Sequence, residues 1–315
     1  MAITKGDIQS TFKSKDTEEW LDVYFTRPVG YLWARFFNHF GVHPNVVTVL
    51  SIILGVLAGC MFYYRDFTHN ILGVLLLMWA NFYDSCDGQL ARMTGKKTHW
   101  GRMLDGFAGD VWFFVIYVSI SFRLMNQTIP FTTHEWSFWI FLLCAFSGII
   151  CHARQCQLAD YYRNIHMHFM LGVSSEFDTS AQQEALFEQT PKKGNFWWRA
   201  FLKSYVRYTK AQEKLTPHFQ RLMNVIRNER GGKVSPQFCS DFRKQSLPLM
   251  KYANILTFNC RAITLYIACL ADIPWLYPLA EIFLFSSLSL YMQHRHESMC
   301  EDFCVRLKNG EYPNQ

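Results

Sequence analysis

Long apolar blocks alternate with polar ones along this chain, and the blocks come in one recurring length. Apolar runs cover residues 46–64, 71–90, 103–124, 136–156, 252–271 and 274–293. A stretch of about 20 apolar residues suffices to cross a bilayer as a helix. The pattern therefore predicts six transmembrane helices. The second and third runs are broken at facing ends by aspartates, which dilute their apolar character. Ahead of the first run, residues 28–40 set Val29, Leu32, Trp33, Phe36 and Phe37 against Arg35, Asn38 and His39. That helical spacing predicts an amphipathic helix lying in the membrane interface.

The fold class expected is an all-α integral membrane protein, with an interfacial helix and a helical insertion between the fourth and fifth spans. Four segments follow: a cytoplasmic lead at 1–27, the interfacial helix and four spans at 28–171, the insertion at 172–248, and two spans with a tail at 249–315. Within the insertion, helical pieces are expected at 180–189, 197–214 and 217–230, with Gly231, Gly232 and Pro236 as breaks. Its Lys and Arg residues interleave with aromatics such as Trp197, Trp198, Phe201 and Tyr205. Such a surface suits an anionic membrane face or a helical cap.

Half of the 315 residues are hydrophobic and 17% are aromatic, more than an ordinary soluble domain carries. Charge then orients the spans, because cytoplasmic loops are rich in Lys and Arg. Arg92, Lys96, Lys97 and Arg102 lie between the second and third spans, the insertion is basic, and the tail holds Arg295, Arg306 and Lys308. The alternate connections are poor in charge, so both termini are expected in the cytoplasm. The polar, mixed-charge first 25 residues predict no cleavable signal peptide. A net charge of +6 needs no nucleic-acid partner, since anionic headgroups attract basic loops. Ten cysteines lack paired spacing and read as reduced hydrophobes. Cys300 and Cys304, one turn apart, read as a chance pairing rather than a metal site. His166, His168, His294 and His296 read as solvated loop residues.

The chemistry concentrates in two short stretches. Asp84 and Asp87 stand three apart, and Asp105 and Asp110 follow one loop later. Carboxylates near hydrocarbon are costly and mark function. Four together repel unless cations sit among them. At 100° per residue, Asp84, Asp87, Gly88, Ala91 and Arg92 share one helical face about 140° wide. Gly88 and Ala91 leave a notch for close ligand approach, and Arg92 offers donors suited to phosphate oxygens. Hard cations such as Mg²⁺ or Mn²⁺ prefer this ligand chemistry and bridge phosphates. A fourth carboxylate beside the metal could deprotonate an attacking hydroxyl.

Asp84, Asp87, Gly88, Ala91, Arg92, Gly101 and Asp105, with eight residues between Arg92 and Gly101, resemble the signature of the CDP-alcohol phosphotransferase family. Pro44, Asn45 and Thr48 resemble the family's entry to its first span, and Arg27-Pro28 is also similar. The likeness covers most of residues 25–170 and, by layout, the last two spans. It implies that Pro44, Asn45, Thr48, Asp84, Gly88, Ala91 and Arg92 bind the nucleotide. It further implies that Asp84, Asp87, Asp105 and Asp110 hold two Mg²⁺ or Mn²⁺ ions, with Asp110 as catalytic base. One position departs: Gly109 stands where the family has its last aspartate, and the carboxylate comes one later. A regular helix would turn Asp110 about 140° from Asp105, so a single-turn π-bulge helped by Gly106 and Gly109 is expected to return it.

The family's acceptor pocket lies near the end of the fourth span, which makes His152 and Arg154 acceptor-binding candidates. Arg163 joins them, as does Arg261, whose place inside the fifth span demands a partner or an anionic ligand. The expected function is a metal-dependent phosphotransferase of phospholipid synthesis. It would move a phosphatidyl or phospho-alcohol group from a CDP-linked donor to a hydroxyl and release CMP. The arginines lean toward CDP-diacylglycerol with a polyol or polyol phosphate such as inositol phosphate or glycerol phosphate. Alternatives are a choline- or ethanolamine-type enzyme using CDP-alcohol and diacylglycerol, and a catalytically silent relative with a binding role. A prenyltransferase would need a second aspartate cluster, and a cation transporter would bury its carboxylates at mid-membrane. Expected partners are the donor, the acceptor, the bilayer and a second copy in a homodimer, with the active site facing the cytoplasm.

Overall fold

The computed structural model describes residues 16–96, 98–171 and 179–312. Lys97, the first part of the lead (1–15), the start of the insertion (172–178) and the Arg102 side chain lie outside the described residues. Helices account for nearly all regular structure, and the described residues contain no strand. Four helices are long and apolar enough to cross a membrane: Pro44–Met61, Met103–Leu124, Trp139–Met170 and Pro236–Leu270.

The chain divides into two compact units. The first comprises Met1–Ala153 and Phe258–Leu284. It opens with a π-helical turn, Asp22–Thr26, running into α1 (Arg27–His39). Then come α2 (Pro44–Met61), α3 (Phe67–Thr94), α4 (His99–Leu124), α5 (Trp139–Ala145) and a π-helical segment, Phe146–His152. Its second stretch holds α11 (Phe258–Leu270), α12 (Leu276–Ala280) and most of a third π segment, Glu281–Phe285.

Local chemistry places these helix ends. His43 caps α2 by accepting from the Asn45 N–H at 3.2 Å, with Pro44 in the first turn. Asp66 caps α3 and the left-handed Gly95 ends it. Thr98 caps α4 by accepting from the Gly101 N–H at 2.9 Å. The three helices pack around Ala58, Phe62, Leu77, Ala80, Trp112 and Ile116. Gly55 admits the Trp112 indole against the α2 backbone, and any Cβ there would collide with it. Outward faces stay apolar: Ile53, Leu57, Leu75, Phe114 and Phe122 are exposed, as lipid-facing positions are. Helix α1 buries Gly30, Ala34 and Phe37. Trp33 meets Trp79 and Tyr83 of α3 edge-on, and Phe36 and Phe40 stay exposed.

The second unit comprises Arg154–Thr257 and Phe285–Gln315. It contains α6 (Ala153–Leu171), α7 (Ser180–Gln189), α8 (Phe196–Leu215), α9 (Pro217–Arg230), α10 (Pro236–Ile255) and α13 (Ser286–Lys308). Thr179 and Gln182 form a capping box on α7, and Gly231 ends α9 in the left-handed conformation. Phe219, Phe238, Phe242 and Phe303 are among its fully buried side chains. His166 and His296 were expected in solvated loops. Both are buried on helices, His166 Nδ1 lying 2.7 Å from Ser246 Oγ. Loop assignment failed there because a polar helix end and a buried polar helix read alike.

Candidate functional site

Helices α3 and α4 are joined by a four-residue connection, which brings their ends side by side. Asp84 and Asp87 come from α3 and Asp105 from α4. One oxygen from each lies within 4.8 Å of the other two. Asp87 is buried at 4% exposure, Asp84 is half-buried and Asp105 is exposed, so the trio runs from the helix interface outward. Three carboxylates this close repel one another, a cost that divalent cations relieve. An all-oxygen donor set of this kind fits Mg²⁺ or Mn²⁺.

Residues around the trio hold it in shape. The Thr48 hydroxyl donates to Asp87 Oδ2 at 2.5 Å and so aims the carboxylate. A Cβ on Gly101 would stand 2.8 Å from Asn45 Oδ1, so a larger residue there would push the Asn45 side chain aside. Asn45 Oδ1 also lies 3.4 Å from the Thr98 hydroxyl. Pro44, Asn45 and Thr48 thus occupy the α2 end beside the trio. A Cβ on Gly88 would meet only the Arg92 guanidinium, at 3.6 Å. Among the described residues no packing demands glycine at 88, and its smallness leaves backbone open beside two carboxylates. Arg92 reaches back over Gly88 and lies within the electrostatic range of Asp87 and Asp105. Ala91 is half-buried on the same helix.

Asp110 departs from expectation. Helix α4 is regular α-helix through 101–124, with no π-bulge between Asp105 and Asp110. Asp110 is exposed and stands outside the trio. Glycines at 106 and 109 permit a bulge but do not cause one, and an unbroken hydrogen-bond ladder is the cheaper state for an uninterrupted run. A Cβ added at Gly109 would meet nothing within 4 Å.

The π-helical distortions occur elsewhere, at Asp22–Thr26, Phe146–His152 and Glu281–Phe285. The second and third of these carry polar groups into a buried cluster of the first unit: Ser147 and His152 from one, Glu281 from the other. Glu281, fully buried, forms an ion pair with Arg261, also fully buried. His152 Nδ1 lies 3.7 Å from Glu281 Oε1 and 3.3 Å from the Tyr117 hydroxyl. Tyr117 stacks on Tyr277 with rings 5.5 Å apart, and Ser147 donates to its hydroxyl at 3.3 Å. Arg261 thus finds its partner inside the protein. Glu281 escaped sequence reasoning, although one acid inside an apolar run twenty residues after a buried arginine was a signal. Arg123 was missed too. It donates to Asn70 Oδ1 at 2.9 Å and to Asp272 Oδ1 at 2.8 Å. The other acceptor candidates sit in the second unit: exposed Arg154 donates to Gln293 Oε1 at 3.1 Å, and Arg163 donates to Asn254 Oδ1 at 2.6 Å.

Residues 41–186 match the family model for CDP-alcohol phosphatidyltransferases. By this match the stretch is similar to CDP-alcohol phosphatidyltransferases. The matched stretch takes in α2, α3 and α4, and with them the whole carboxylate trio. An archaetidylinositol phosphate synthase of Pyrococcus horikoshii is 37% identical over 65 residues, 21% of this chain and 33% of its own. A phosphatidylinositol phosphate synthase of Streptomyces avermitilis is 34% identical over 82 residues, 26% of this chain and 32% of its own. A CDP-diacylglycerol–serine O-phosphatidyltransferase of Bacillus subtilis is 32% identical over 109 residues, 34% of this chain and 55% of its own. The chain therefore spans between a third and just over half of the length of these relatives.

Proposed function

We propose that the chain is a membrane phosphotransferase of phospholipid synthesis, taking a CDP-linked donor and a hydroxyl acceptor and releasing CMP. The convergence of Asp84, Asp87 and Asp105 from two helices carries this reading. Two Mg²⁺ or Mn²⁺ ions held by these aspartates would neutralise the donor diphosphate and stabilise its departing oxygen. Thr48 would keep Asp87 aimed at them. Gly88 and Ala91 would admit the diphosphate to the α3 backbone, and Arg92 would pair with its oxygens. Asn45 would stand at the nucleotide end. Relatives named as an archaetidylinositol phosphate synthase and a phosphatidylinositol phosphate synthase support a polyol phosphate as acceptor, and one named as a CDP-diacylglycerol–serine O-phosphatidyltransferase supports CDP-diacylglycerol as donor. The charge of Arg261, an acceptor candidate within the same unit, is already balanced by Glu281.

In this reading six spans cross the membrane, the four apolar helices together with α3 and residues 274–293. Helix α1 lies in the interface and the trio faces the cytoplasm. Labelling of a cysteine placed at Lys96, from one side of the membrane only, checks the orientation.

A second reading rests on Gly109. With the family's fourth carboxylate position empty and Asp110 turned away, the domain binds its donor but turns it over slowly. Release of CMP from CDP-diacylglycerol decides between them, measured with Mg²⁺ or Mn²⁺ and inositol phosphate, glycerol phosphate, inositol or serine. A transferase releases CMP with one acceptor and loses it in Asp105→Asn. If only the base is missing, Gly109→Asp raises release by about 10²-fold or more and Asp110→Asn changes nothing. Absence of both CMP release and CDP-diacylglycerol binding overturns both readings.

A further inference from the structure

A second group of metal-binding side chains lies in the other unit, away from the aspartates in sequence and chemistry. His296, Glu297 and Cys300 sit on α13, and one ligand atom from each lies within 4.8 Å of the other two. Their exposures are 0%, 8% and 0%. His296 Nδ1 lies 3.5 Å from Cys300 Sγ and 3.9 Å from Glu297 Oε1.

Two features separate this cluster from ordinary core packing. Glu297 is pinned by one oxygen: Oε2 accepts the His218 backbone N–H, in the first turn of α9, at 2.7 Å. Its other oxygen, Oε1, is buried toward His296 and has no hydrogen-bond partner among the described residues. A buried carboxylate oxygen without a donor costs several kcal/mol unless a positive charge faces it. The imidazole is also fixed in orientation, because Tyr162 stacks on it with ring centroids 4.0 Å apart and planes 19° from parallel.

We propose that His296 Nδ1, Cys300 Sγ and Glu297 Oε1 form a zinc site, with the fourth position taken by water. Tetrahedral zinc with bonds of about 2.3 Å to sulfur and 2.0–2.1 Å to nitrogen sets those two ligands about 3.6 Å apart. The observed 3.5 Å matches it. The nitrogen–oxygen edge should be about 3.4 Å, which a small rotation of Glu297 supplies. Charge balances as well: thiolate, carboxylate, neutral imidazole and Zn²⁺ sum to zero inside a buried site. Binding converts the Cys300 thiol to a thiolate and releases one proton to solvent. The sulfur and nitrogen donors separate this site from the all-oxygen trio, which favours harder ions.

Cobalt titration of the full-length protein in detergent tests the site, with Mg²⁺ in excess to occupy the aspartates. The expected result is a thiolate-to-cobalt absorption band saturating near one equivalent and displaced by zinc. Purified protein should carry about one zinc by mass spectrometry. Cys300→Ser should abolish the band and lower zinc at least tenfold, while Cys304→Ser keeps both. If Cys300→Ser does not fold, the wild-type titration alone decides. Absence of the band in folded wild type means an imidazole–carboxylate pair only and overturns the proposal. So does a band that survives Cys300→Ser.

Discussion

At the scale of single residues, the trio depends on one hydroxyl. Thr48 spends its proton on the buried Asp87 carboxylate at 2.5 Å. A hydrogen bond to a charged group contributes about 1.5–3 kcal/mol. Thr48→Val should therefore cut CMP release by about tenfold or more, and Thr48→Ser should restore most of it. Equal release from wild type and Thr48→Val would show that Asp87 needs no such guide. Asp84 and Asp87 were legible in the sequence because a spacing of three on a helix puts both on one face. The role of Thr48 was legible only in part. Its place in a motif pointed to the nucleotide, whereas the fold turns it toward a carboxylate 39 residues away.

At the scale of helices, two glycines make opposite predictions. Gly55 lies against the Trp112 indole, so Gly55→Ala should cost about 1–3 kcal/mol by overpacking. Gly109 faces open space on α4, so Gly109→Ala should stabilise the helix by about 0.5–1 kcal/mol. Thermal unfolding in detergent checks both, and a neutral Gly55→Ala would mean that the α2–α4 contact is loose. The ion pair from α11 to the π segment behaves differently. Removing one member, as in Arg261→Met or Glu281→Leu, strands a buried charge and should cost about 3–5 kcal/mol. The double variant should recover most of that loss. Additive losses in the double variant would show that the two groups act apart.

Helix positions were largely legible, since caps such as His43, Asp66, Thr98 and Thr179 adjoin the runs they start. The π segments were not. They fall at Asp22–Thr26, Phe146–His152 and Glu281–Phe285, and the one expected near Gly106 is absent. Local composition tolerates a bulge in many places. Packing decides which of them gains by re-aiming a side chain, and here His152 and Glu281 meet.

At the scale of the first unit, one end is tied by Asp272, which accepts from Arg123 at 2.8 Å and from Arg65 at 3.1 Å. Partial desolvation pushes the Asp272 carboxyl up, but the two arginines outweigh it and hold the group below the ordinary carboxylate range. A lowered pKa in the folded state stabilises the fold above the unfolded value of about 3.9. That contribution is lost as pH falls through the folded value. Asp272→Asn keeps the left-handed backbone at this position comfortable. It should melt below wild type at pH 7, and the difference should vanish only under strongly acidic conditions. A gap that persists unchanged there would assign the effect to packing.

Periodicity and charge by themselves determined that this is a helical membrane protein with aspartates at adjoining helix ends. Both features are local: a span is a run of one composition, and a carboxylate pair three apart shares a face wherever the helix goes. Tertiary structure alone decided that Asp105 joins the trio while Asp110 does not, that Glu281 answers Arg261, and that His296 is buried beside Cys300 and Glu297. Each of those outcomes depends on how helices pack or whether one bends, and the free energy that selects them is summed over contacts between residues far apart in the chain.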